Sequence, residues 1–167
     1  MADRPRRLLI GEGAGIGPTL FLAEQMCAAS QAASPAPPAP AASLTPPGPW
    51  RPLVLLGSDI PFPFRPRPSV IVVPGIPTGV IACMPLLEEW GIASRLASTA
   101  DLPGCFDGTV TALGDAWLSS LNPTDLAEVE IFACGPASML EAIADLALRY
   151  SVPCQTSTPD AATPISR

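Results

Sequence analysis

The sequence predicts an α/β fold, a doubly wound and mainly parallel sheet of five or six strands. Short β-rich runs recur at 8–10, 53–56, 70–73, 95–98 and 129–133, with a sixth at 153–156. Helical patterns follow several of them, and two strand-to-helix junctions are marked by glycine-containing turns. Strands alternating with helices are the pattern of parallel sheets joined by crossovers.

The first strand, 8–10, runs into Gly11-Glu12-Gly13-Ala14-Gly15-Ile16-Gly17-Pro18 and then a helical run over 19–28. Pro18 suits the first helical position, where a missing N–H costs nothing. Residues 30–49 are almost entirely Ala, Pro and Ser and read as an inserted surface loop. Residues 68–87 carry no charge and are about as long as a membrane span. Pro74, Pro77 and Pro85, with Gly75 and Gly79, break that run into a strand at 70–73, a turn and a helix start, so no membrane span is expected.

The strand at 95–98 precedes a helix whose apolar face is Val110, Leu113, Trp117 and Leu121. Gly114 weakens this helix by about 1 kcal/mol relative to alanine. The strand at 129–133 precedes Cys134-Gly135-Pro136 and a helix with Met139, Ile143, Leu146 and Tyr150 on one face and Glu141, Asp145 and Arg149 on the other. Ser138 stands three residues before Glu141, the spacing of a reciprocal helix cap. One domain, 1–157, with a flexible tail, 158–167, is the expected organisation.

The composition narrows the chemistry. The chain has no histidine, and all nine basic residues are arginine. That removes the commonest general base and metal ligand, and any Schiff-base lysine. A net charge of -6 and scattered arginines exclude a basic footprint for nucleic acid. The five cysteines are widely spaced with no Cys-x-x-Cys pair, so neither a metal site nor an iron-sulfur cluster is written in the sequence. Free thiols, and no signal-peptide apolar region behind the charged start, point to the cytoplasm.

The glycine turn is where a phosphate would sit. Glycines admit positive φ and close approach of a ligand, and exposed N–H groups at a helix N-terminus attract an anion. A tight strand-to-helix connection explains a lone glycine pattern equally well. A phosphate-binding Walker loop is excluded, because the chain has no lysine to follow the last glycine. The spacing G-x-G-x-G-x-G-P matches the usual dinucleotide fingerprint only in part. Cys134, taken alone, could be an inert core thiol.

The two turns together, the second with its Cys-Gly-Pro-x-x-Met pattern, resemble the NAD(P)H-binding domain of the ferredoxin-NADP reductase family. The chain is most similar to the electron-transfer subunit of dihydroorotate dehydrogenase, through Leu20-Phe21-Leu22-Ala23-Glu24 and Pro153-Cys154-Gln155-Thr156-Ser157 as well. The resemblance covers most of 5–157. It implies that Gly11, Gly13, Ala14, Gly15, Ile16, Gly17 and Pro18 hold the dinucleotide pyrophosphate. It also implies that Cys134, Gly135 and Pro136, with Met139 behind them, border the nicotinamide, Cys134 as a contact rather than a nucleophile. The segment around Asp101 resembles the family's loop near the adenosine ribose.

The family's flavin-binding barrel and cysteine-rich iron-sulfur segment have no counterpart in the sequence. The resemblance therefore implies an FAD supplied by a partner or a missing domain, and no iron-sulfur cluster in this chain. The implied reaction is hydride transfer from NAD(P)H to that flavin. The implied partner is a flavoprotein or the dihydroorotate dehydrogenase catalytic subunit, in pyrimidine biosynthesis. Asp59 and Asp101 favour NAD(H) over NADP(H), with Arg95 near enough to weaken the preference. Two other readings stay open: a non-catalytic remnant or interaction module of the same fold, and an S-adenosylmethionine-dependent methyltransferase using Gly11-x-Gly13-x-Gly15 and Asp59.

Overall fold

The computed structural model describes residues 6–33 and 52–159. Six strands form one sheet in the order β6-β5-β2-β1-β7-β8: β1 (Arg6–Glu12), β2 (Leu53–Ser58), β5 (Ala93–Ser98), β6 (Phe106–Asp107), β7 (Val129–Cys134) and β8 (Cys154–Ser157). Every pairing in this sheet is parallel. A separate two-stranded antiparallel ribbon joins β3 (Arg67–Pro68) to β4 (Ala82–Cys83).

Alternate residues of the central strands feed two cores, as the pleat requires. Leu8 and Ile10, Leu53 and Leu55, and Val129 and Ile131 pack with α3 (Val110–Ser120) and α5 (Ala137–Tyr150), with the short α4 (Pro123–Leu126) between the two in the chain. Leu9, Val54, Leu56 and Leu96 pack on the opposite face with α1 (Ile16–Ala33) and α2 (Pro85–Glu89). Helices on both faces make this the doubly wound α/β architecture predicted from the strand-helix alternation.

Several local expectations are corrected. Residues 70–73 form no strand. Their β-branched side chains instead serve an irregular segment, with Ile71 and Val73 packed against the core while Val70 and Val72 face solvent. The Val70 and Ile71 N–H groups donate to the side chains of Glu88 and Ser69 rather than to a neighbouring strand, and Pro74 ends the run. The segment is held by a buried polar network. The Glu88 carboxylate accepts from the Ser69 hydroxyl at 2.9 Å and the Val70 N–H at 2.7 Å. Arg95 donates to the carbonyls of Ser94 and Ile71. Cys83 lies in the same network, its thiol pushed up to about 11 by burial and by Glu88.

The first helix starts at Ile16, after a 3-10 turn over Gly13–Gly15, so Pro18 is the third helical residue rather than the first. The first four N–H groups of any helix lack intrahelical acceptors, so proline is tolerated there too. The helix extends to Ala33, so the loop expected at 30–49 begins as helix; its remainder lies outside the described residues, as does most of the tail at 158–167. The Ser138–Glu141 cap is not formed. Pro136 is the N-cap residue of α5, with no side-chain cap, and Ser138 is an exposed residue of the first turn. The pre-set φ of proline starts the helix two residues earlier than the cap pattern predicts.

Candidate functional site

In a parallel sheet the strand ends gather on one edge, and the connections from β1 and β7 leave it in opposite directions. The chain passes from β1 through α1 on one face, and from β7 through α5 on the other. A crevice opens at such a switch point, outside the carboxyl ends of the strands. The two glycine-containing turns line it.

Their contact is made by backbone. A Cβ added to Gly15 would lie 2.0 Å from the Cys134 carbonyl oxygen and 2.8 Å from the Gly135 nitrogen. Gly15 therefore seats one turn on the other. Gly11 is also structural: a Cβ there would meet the Thr19 hydroxyl at 2.5 Å, and that hydroxyl donates to the Gly15 carbonyl at 2.7 Å in a buried bond. Gly13 and Gly17 differ. Neither would bring a Cβ within 4 Å of anything, and Gly13 has a φ of +57 that favours glycine on backbone grounds. The turn thus has an anchored side, Gly11 and Gly15, and an open side, Gly13 and Gly17, beside the N-terminus of α1. That open cradle fits a pyrophosphate approaching backbone donors.

On the other wall, Cys134 is buried beside Ser157 of β8. Burial raises its thiol above the usual range, the Ser157 hydrogen bond opposing this in part. A protonated, buried thiol is a packing contact, not a nucleophile. Gly135 donates to the Ser157 carbonyl, and Pro136 is exposed at the head of α5. Met139 is buried in the core, its Sδ 3.0 Å from the position a Gly135 Cβ would take. It supports the turn from beneath.

The ends of β2 and β5 complete the edge. Thr99 donates to the Asp59 carboxylate at 3.1 Å, tying the two loops together. Asp101 is exposed, with a φ of 54, in the loop after β5, two strands away from the glycine turn. Arg95 does not reach this edge with a free guanidinium, which is engaged by the Ser94 and Ile71 carbonyls.

Sequence reasoning missed Glu12, the last residue of β1. It is in register with Gly57, and its Cβ lies 3.4 Å from the position of a Gly135 Cβ. Burial first, then the like charge of Asp59, push its carboxyl above the usual carboxylate range. The signal was present as an acidic residue inside the glycine pattern, but its proximity to Gly135 appears only when the strands pair. Among the described residues, no group of three or more acidic or cysteine side chains could hold a metal ion, and no helix is long and apolar enough to cross a membrane.

No protein-family model and no curated protein matches the sequence. Among solved structures, the chain is similar to the ferredoxin reductase in carbazole 1,9a-dioxygenase, in its FAD apo form, with a TM-score of 0.51 and 18% identity. The match covers 92% of this chain and 35% of that one. At this identity the likeness is one of fold, a ferredoxin-reductase-like α/β domain, and this chain corresponds to about a third of its neighbour.

Proposed function

We propose that the chain is the nicotinamide-dinucleotide-binding module of an electron-transfer oxidoreductase. The observation that carries this reading is the backbone contact of Gly15 with Cys134 and Gly135, which makes one crevice of the two turns and leaves Gly13 and Gly17 facing open space. The pyrophosphate would rest on the open side of the glycine turn, held by first-turn N–H groups of α1. Gly135 and Pro136 would border the nicotinamide, with Cys134 packed beside them.

The bound dinucleotide supplies two electrons and a proton as hydride from nicotinamide C4, received by N5 of a flavin held on another chain or domain. This chain contributes position and exclusion of water rather than a general base, so the lack of histidine is no obstacle. Asp59 and Asp101 on the β2/β5 side favour ribose hydroxyls over a 2'-phosphate, hence NAD(H) over NADP(H). The finer proposal is a flavoprotein partner of the dihydroorotate dehydrogenase kind, which rests on the sequence resemblance alone.

Titration calorimetry of the purified chain with NADH, NADPH and S-adenosylmethionine tests the reading. We expect NADH to bind more tightly than NADPH and S-adenosylmethionine not to bind. Failure of both nicotinamide dinucleotides at millimolar concentration would sink it. Binding followed by dye reduction that needs an added flavoprotein would support the electron-transfer role.

A further inference from the structure

We propose that Glu12 is a specificity-determining residue of the crevice, its carboxylate accepting a hydrogen bond from the nicotinamide-ribose half of the dinucleotide. The inference rests on the reading above and extends it to a residue outside the expected pyrophosphate set.

The argument is geometric. Glu12 ends β1, the strand at which the chain switches direction, so its side chain stands between the ends of β2 and β7. A Cβ on Gly57 would lie 3.6 Å from Glu12 Cγ and one on Gly135 would lie 3.4 Å from Glu12 Cβ. Glycines on both flanking strands leave the carboxylate room at the crevice floor, next to the Cys-Gly-Pro turn. The neighbours on both sides are apolar: α3 presents Val110 to Gly57, and α5 presents Met139 to Gly135. The charged group that faces it is Asp59 after β2, a like charge.

Among the described residues, no hydrogen bond or ion pair reaches the Glu12 carboxylate. A half-buried carboxylate facing a like charge without a donor is unfavourable in the free protein. Donors on a ligand relieve it. The nicotinamide carboxamide offers N–H groups and its ribose offers O–H groups, and a charge-assisted bond to either is short and strong. The pyrophosphate, carrying negative charge only, cannot be Glu12's partner.

The test compares Glu12→Ala with wild type, titrating the full chain with NADH, the reduced nicotinic acid analogue of NADH, and ADP. ADP keeps the pyrophosphate and adenosine but lacks the nicotinamide-ribose half. Glu12→Ala should weaken NADH about tenfold or more and leave ADP unchanged. Loss for NADH alone assigns the bond to the carboxamide; equal loss for the analogue assigns it to the ribose. The wild-type preference for NADH over ADP should also fall several-fold as pH drops through the Glu12 titration, and be flat in the variant. Unchanged or tighter NADH binding by Glu12→Ala overturns the inference, as does equal weakening of ADP, which would make Glu12 merely structural. If the wild type binds neither NADH nor ADP, the dinucleotide reading itself fails.

Discussion

At the scale of single residues, the glycines of the first turn divide by what surrounds them. Gly15 has another backbone where a side chain would begin, so Gly15→Ala must separate the two turns, and we expect a loss of about 3 kcal/mol by urea denaturation. Gly17→Ala meets only open space and gains helix propensity, so its stability should hold or rise by up to about 1 kcal/mol. Its NADH affinity should nevertheless fall about tenfold, a change of about 1.4 kcal/mol in binding. Glu12 makes a different prediction. Its carboxyl is raised in the folded chain, so the charged form is disfavoured there. Stability is then lost as pH rises from the unfolded value of about 4.3 through the folded one, and the penalty is absent below both. Glu12→Gln should therefore raise the melting temperature at pH 8 and leave it unchanged at pH 4 in paired thermal scans.

At the scale of elements, the helix starts depend on different devices. Thr109 caps α3, its hydroxyl accepting from the Ala112 N–H at 3.1 Å, so Thr109→Ala should cost about 1 kcal/mol. Ser138 caps nothing, and Ser138→Ala should be neutral within about 0.5 kcal/mol. Gly114 lies inside α3, where a methyl would meet Ile10, Leu146 and Leu55 at 3.6 to 3.9 Å, ordinary contact distance. Gly114→Ala should stabilise the fold by about 1 kcal/mol on a denaturant curve. The apolar faces of α3 and α5 were legible because 3.6-residue periodicity is a local property, and Val110, Leu113, Trp117, Met139, Ile143 and Leu146 are all buried. The α5 cap was misread because Pro136 and Ser138 both carry start signals, and the proline is the one used. Residues 70–73 look like a strand for want of any local sign of Glu88 and Arg95, which reach them from other elements. Likewise β6 is too short to leave a pattern.

For the whole molecule, sheet order and crevice follow from the central place of β1 in its sheet, with β2 on one side and β7 on the other. The placement of both turns on one edge was legible from the strand-helix alternation; the backbone contact between them was not, since it depends on the pairing of β1 with β7. The long connection from β2 to β5 is integrated through the buried Glu88 carboxylate. Glu88→Ala strands the Val70 N–H and the Ser69 hydroxyl, and leaves the buried Arg95 charge without its neighbouring anion. A loss of about 3 kcal/mol is expected, with thermolysin cleavage on the N-terminal side of Ile71 or Val72 accelerated before global unfolding.

The division of labour among the glycines has a consequence for mutational drift. Folding holds Gly11 and Gly15 in place, and backbone conformation holds Gly13, but nothing in the packing of the chain resists a side chain at Gly17. In a copy released from its chemistry, Gly17 is the first of the four to change, because alanine there improves the helix. If the turn holds the proposed pyrophosphate, relatives that keep Gly11 and Gly15 but carry alanine at position 17 should be folded proteins that no longer bind the dinucleotide.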